Sequence, residues 1–217
     1  MSNSREKNIE LWEKLYSSGL SDLKYPNEML VRIFNKYKAL RNIETVLDFG
    51  FGTGANLIHM VESGCKVSGV EVSESAIQIV NKKINDKKLS AELKMIHNST
   101  IPYEDNSFDL VVAWQVLVYN DLDSFKSTMK EISRVLKPGG LFIGTMTAVG
   151  DQTYKSSDKI GEYLYRSNVQ TQDGATCIIV DTEDLNIFFP NKKLSVGEYF
   201  FDFEGSTSRH LIVVYEN

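Results

Sequence analysis

Apolar residues recur along this chain in two rhythms, and the switching between them predicts its elements. The runs IETVLDF (43–49), KVSGVEV (66–72), ELKMIH, FDLVVAW (108–114) and LFIGTMT (141–147) predict strands, FDLVVAW a buried one. Between them, apolar residues three and four positions apart predict helices. One covers ANLIHMVES (55–63) and is stopped by Gly64. A second is capped by Ser73 and aligns Ile77, Val80 and Ile84. A third begins near Leu122, aligns Phe125, Met129, Ile132 and Leu136, and ends at KPGG. Strands and helices in alternation, with the strands apolar throughout, predict a parallel sheet covered by helices on both faces.

The two ends break this rhythm. Ile9, Trp12 and Tyr16 share one helical face, and Leu30, Ile33, Phe34 and Tyr37 share another, with Pro26 expected in the first turn of that second helix. After residue 147 the chain turns polar, with helices expected near 159–168 and at TEDLNIFF. The close, KLSVGEYFFDFEGSTSRHLIVVYEN, reads as two strands joined at EGSTS, an antiparallel hairpin.

Length and composition narrow the picture. A chain of 217 residues with 42% apolar and 24% charged content suits one domain over 1–217. Within it we expect an N-terminal helical cap (1–42), a ligand-binding core (43–147), a substrate-facing insert (148–190) and the terminal hairpin (191–217). A net charge of -5 and a pI near 5.3 argue against a nucleic-acid partner. Cys65 and Cys177 stand far apart, as reduced thiols do, and no N-terminal apolar segment or 18-residue apolar run occurs, which predicts a cytoplasmic protein without a membrane partner. His59, His97 and His210 have no partners at metal-ligand spacing, so no metal is expected. Oligomeric state is not legible.

The candidate chemistry begins at VLDFGFGTGAN (46–56). Glycine inside an element costs roughly 0.5–1 kcal/mol relative to alanine. Gly50, Gly52 and Gly54 therefore point to a turn that lets backbone approach a ligand at the start of a helix. Gly50-x-Gly52-x-x-Ala55 fits the dinucleotide fingerprint, with Glu71 at the distance expected of a ribose-binding carboxylate, which admits an NAD(P)-dependent oxidoreductase.

The wider context favours another ligand. LDFGFGTGAN resembles the first motif of class I S-adenosylmethionine-dependent methyltransferases. GVEVS (69–73) resembles their acidic second-strand motif, IPYEDNSFDLVVAWQVLVY their fourth-strand region, and EISRVLKPGGLFIGT the helix, turn and fifth strand that follow. The resemblance runs in order through residues 43–147. It implies an α/β, Rossmann-like, doubly wound sheet of seven mostly parallel strands, with a C-terminal antiparallel hairpin and extra N-terminal helices. It also implies S-adenosyl-L-methionine as cofactor.

By the same resemblance, Gly50, Gly52 and Gly54 surround the methionine moiety and Asp48 lies near its amino group. Glu71 takes the ribose hydroxyls, Val72 lines the adenine, and Trp114 and Gln115 sit beside the sulfonium. Asn98 or Ser99 stands where the family usually offers an acidic residue to the adenine amino group, and Tyr16, with Trp12, is a candidate lid. Glu71 is expected to be a carboxylate whose loss weakens cofactor binding and leaves the ligand-free protein's stability alone.

Methyl transfer is an in-line displacement, and an alcohol acceptor needs a base. Asp151, Glu162, Asp173 and His210 are candidates by location, with no choice among them. WQVL after the fourth strand lacks the Asn-Pro-Pro-Tyr pattern of enzymes acting on amino groups, and LWEKLYSSGL resembles the start of bacterial surface-polysaccharide methyltransferases. Together these favour O-methylation of a small-molecule or glycan-precursor substrate. A non-catalytic cofactor-binding protein is the remaining alternative.

Overall fold

The computed structural model describes residues 4–217. Two helices come first, α1 (Ser4–Ser17) and α2 (Glu28–Leu40). The alternating core follows as β1 (Thr45–Phe49), α3 (Ala55–Glu62), β2 (Lys66–Glu71), α4 (Glu74–Lys87), β3 (Glu92–Met95), β4 (Phe108–Ala113), α5 (Leu122–Val135) and β5 (Leu136–Ala148). The last third contains α6 (Gln152–Lys155), β6 (Ser157–Lys159), β7 (Leu164–Ser167), β8 (Thr176–Val180), α7 (Leu185–Phe188), β9 (Ser195–Phe203) and β10 (Ser206–Glu216).

β3, β2, β1, β4 and β5 pair in parallel in that order. β10 runs antiparallel between β5 and β9, so the seven expected strands and the terminal hairpin are present, within a sheet of ten strands. Strand order reverses at β1, whose neighbours are β2 and β4, and ligands bind outside strand C-termini at such a reversal. Successive residues of the strands feed opposite faces. Leu47, Val111 and Phe142 pack with Phe125 and Ile132 of α5, whereas Val46, Val112 and Ile143 pack with Phe34, Leu57 and Val80.

Two expectations change. Residues 159–168 form no helix: β7 pairs with β6 and β8, and burial alternates from Tyr165 to Ser167, the period of a strand. These three strands add a small sheet that joins the end of β5 through Thr147 and Ala148. Pro26 also lies outside the first turn of α2. Asn27 is the cap, accepting from the N–H groups of Met29 and Leu30, and it places Pro26 before the helix. The TEDLNIFF helix is present as a 3-10 turn (Thr182–Asp184) running into α7.

Candidate functional site

The turn after β1 is built on three left-handed glycines, with φ of +71° at Gly50, +52° at Gly52 and +80° at Gly54. A side chain would also collide: a Cβ on Gly50 would stand 2.3 Å from Val116 Cγ2, and one on Gly54 2.6 Å from Val80 Cγ2. Over Gly52 lies the Tyr16 hydroxyl, 2.9 Å from where a Cβ would be. The turn is therefore a cradle that only glycine fits.

Glu71 closes the cradle from β2. Its carboxylate accepts from the N–H groups of Gly52 (2.9 Å), Val72 (2.6 Å) and Ser73 (3.2 Å), and the residue is 5% exposed. Burial pushes its pKa up against those three bonds. The carboxylate thus ties β2 to the glycine turn without any ligand, which corrects the expectation that truncating it spares ligand-free stability. Asp48, beneath the turn, is also buried. Desolvation first, and the charge of Glu71 second, push its pKa up to about 8. Its Oδ2 has no hydrogen-bond partner.

Helix α1 roofs this floor. The buried Asn8 donates to the carbonyls of Tyr119 (3.0 Å) and Thr176 (2.9 Å) and accepts from Thr176 N–H (3.0 Å). Glu13 accepts from the Ser73 hydroxyl (2.6 Å), the Ser75 N–H (3.2 Å) and the Ser75 hydroxyl. These bonds dock one end of α1 on β8 and the middle on the start of α4. Between the anchors, Trp12 stacks toward Tyr16 at 6.1 Å and meets Tyr119 edge-on at 4.6 Å. Burial, reinforced by Glu71, raises the pKa of the Tyr16 hydroxyl.

Roof and floor enclose a cavity of about 650 Å³, within the range of small-molecule sites. Its far end lies past β4. Trp114 is buried there with Nε1 unpartnered. Gln115 has a left-handed backbone, φ 54°, fixed by its N–H donating to Thr145 Oγ1 at 2.8 Å. Gln115 Nε2 lies 3.0 Å from His210 Nε2. Burial lowers the pKa of His210, opposed by the charge of Asp151.

The fold thus gathers Asp48, Gly50, Gly52, Gly54, Glu71, Val72, Trp114, Gln115 and Tyr16 around one cavity, together with Trp12, Asp151 and His210. Asn98 and Ser99, by contrast, do not line it. The Asn98 carbonyl oxygen accepts from Thr100 N–H, and Ser99 binds Arg5 and the Ser124 carbonyl. Ile96 lines the wall instead. Among the base candidates, Glu162 and Asp173 are exposed and outside the lining. Asp151 lines it with both oxygens engaged, by Thr153 N–H and Arg209 N–H, each at 2.7 Å. The sequence reading missed the anchors Asn8 and Glu13, since each binds residues more than fifty positions away. Among the described residues no cluster of three metal-ligating side chains occurs.

Comparison with known proteins agrees with this geometry. Residues 46–140 match the family model described as a methyltransferase domain. The sterol 4-C-methyltransferase strm-1 of Caenorhabditis elegans is 35% identical over 99 residues, 45% of this chain and 29% of that protein. The demethylmenaquinone methyltransferase of Oceanobacillus iheyensis is 30% identical over 154 residues, 64% of this chain and 61% of that one. The matches therefore span less than two thirds of these relatives. A solved S-adenosylmethionine-dependent methyltransferase from Methanosarcina mazei superposes with a TM-score of 0.73 at 17% identity, covering 89% of this chain and 98% of its own. The 1,6-didemethyltoxoflavin-N1-methyltransferase of Burkholderia thailandensis, solved with 1,6-didemethyltoxoflavin and S-adenosylhomocysteine, superposes with a TM-score of 0.70 at 13% identity, covering 98% and 86%. At such identities these two likenesses speak for the fold. Residues 46–140 thus match a methyltransferase domain, and the chain has the fold of the solved S-adenosylmethionine-dependent methyltransferases. The nicotinamide reading is not favoured.

Proposed function

We propose that this chain methylates a hydroxyl group of a small-molecule acceptor, with His210 as the base. The carrying observation is the histidine itself. His210 lines the acceptor end of the cavity, where burial favours its neutral form, the form able to take a proton. Asp151 is poorly suited to that task, because both of its oxygens already accept backbone N–H groups.

The cofactor end fits its ligand. Asp48 has a buried oxygen without a partner, which suits the cofactor's amino group, and the glycine turn leaves room above the backbone. Glu71 has about four lone-pair sites, of which backbone donors use three, so ribose hydroxyls take the fourth and share the rest. Val72 and Ile96 supply the apolar wall for the base, and Tyr16 covers the turn. Bound S-adenosylmethionine supplies a methyl group carried on positively charged sulfur. His210 meets the incoming hydroxyl, and Trp12 and Tyr119 shield that end from water.

The acceptor class remains wider than the glycan precursor first favoured. The relatives' names support a second reading, methylation at carbon, as the name of the worm sterol 4-C-methyltransferase states for that protein. Turnover is read as S-adenosylhomocysteine released with catechol, UDP-glucose or a 1,4-naphthoquinol as acceptor, and the product's methyl shift distinguishes oxygen from carbon. His210→Ala is expected to lose about 10²–10⁴ in rate at unchanged S-adenosylhomocysteine affinity. Full turnover by that variant refutes the base assignment. Cofactor binding without methyl transfer to any acceptor favours the non-catalytic alternative.

A further inference from the structure

The Gln115 backbone is held where few residues other than glycine and asparagine rest. A non-glycine residue at φ 54° is uncommon, and Gln115 is kept there by its N–H donating to Thr145 on β5. The consequence is directional: the side chain leaves the sheet toward β10 and brings its amide nitrogen to 3.0 Å from His210 Nε2. Strained backbone that serves packing usually delivers a side chain into the core, yet Gln115 is exposed and lines the cavity.

The other neighbours of His210 leave this contact as its hydrogen bond. Tyr199 of β9 stacks on the ring at 6.5 Å, and Thr147 of β5 lies opposite in the strand pairing. Asp151, just before α6, stands 3.9 Å from Nε2, beyond hydrogen-bond range, with its oxygens committed to backbone. Arg209, next in the chain, points its charge at Glu198 of β9 at 2.6 Å.

We propose that Gln115 is the positioning residue of His210: its amide donates to Nε2 and occupies the place that the acceptor's hydroxyl later takes. The inference rests on the reading of His210 as base, and it adds how the ring is held for that task. An amide donor at Nε2 requires that this nitrogen carry a lone pair and no proton, with the ring proton on Nδ1. A hydroxyl entering the cavity replaces one N–H donor by one O–H donor at the same lone pair, so the ring need not turn. Gln115 is exposed and can swing aside.

The test needs no acceptor. The chain has three histidines, so the imidazole NMR signals of His210 can be followed through a pH titration with His59 and His97 as internal controls. Gln115→Met keeps most of the bulk over the ring and removes the donor. Its His210 midpoint is expected to rise by about 0.5–1 pH unit, the value of one neutral hydrogen bond. Gln115→Glu puts a carboxylate beside Nε2 and is expected to raise the midpoint by about 1 unit or more. Both variants should leave His59 and His97 unmoved. An unchanged or lowered His210 midpoint in Gln115→Met overturns the proposal, because burial alone or an amide accepting from the ring would give those results. If Gln115→Met fails to fold, Gln115→Glu decides, and an unmoved midpoint there overturns it equally. Failure of His210→Ala to slow turnover would sink the base reading while leaving this contact standing.

Discussion

Removing the Glu71 carboxylate perturbs the fold and the proposed cofactor site together. In Glu71→Ala the N–H groups of Gly52, Val72 and Ser73 lose their acceptor in a region shielded from water. A hydrogen bond to a charged group contributes roughly 1.5–3 kcal/mol, so three bonds set a gross loss above 4 kcal/mol. Against this stands relief from burying a charge, which the upward shift of the Glu71 pKa reveals. Water reaching the opened turn offsets part of the rest. We expect a net destabilisation of about 2–3 kcal/mol, which for a domain of this size lowers Tm by roughly 4–12 °C. Cofactor affinity should fall by about tenfold or more, the equivalent of ~1.4 kcal/mol. Differential scanning fluorimetry without ligand and titration calorimetry with S-adenosylhomocysteine, on the same variant, read the two effects separately. A ligand-free Tm within a degree of wild type, with affinity still lost, would refute the structural half of this argument. Unchanged affinity would refute the ribose assignment.

Two further perturbations probe the floor and the roof. The Asp48 pKa is raised from 3.8 to about 8, so the folded protein holds that proton more tightly than the unfolded chain does. Its contribution to stability is therefore present below pH 4 and declines as pH rises to 8, by at most about 6 kcal/mol. Urea denaturation of the ligand-free protein across this window should show the decline relative to Asp48→Asn, in which it should vanish; parallel pH curves for the two proteins would refute the shift. Asn8→Ala removes three hydrogen bonds to the 119 and 176 backbones, two of them buried, and α1 should undock while the sheet stays folded. Hydrogen exchange should show lost protection across α1 alone, and unchanged protection there would show that Glu13 suffices to hold the helix.

Much of this protein is determined by the sequence, where the determining forces act between near neighbours. Apolar runs fixed the parallel strands because a strand buried on both faces tolerates few polar side chains, and three alternating glycines fixed the turn after β1 because left-handed angles combined with crowded neighbours leave no room there for a side chain. What the tertiary structure alone decided depends on residues distant in sequence. The segment 159–168 became β7 because β6 and β8 offered backbone partners that a helix pattern does not reveal. Asn98 and Ser99 turned from the cavity because Thr100, Arg5 and Ser124 satisfied them first. Glu71 proved to hold the glycine turn, since its donors sit on two different elements. His210 meets Gln115, ninety-five positions earlier in the chain, only because β10 lies beside β5. Spacing in sequence encodes period and propensity, whereas hydrogen-bond partnership and burial are decided by which distant segments the sheet brings together.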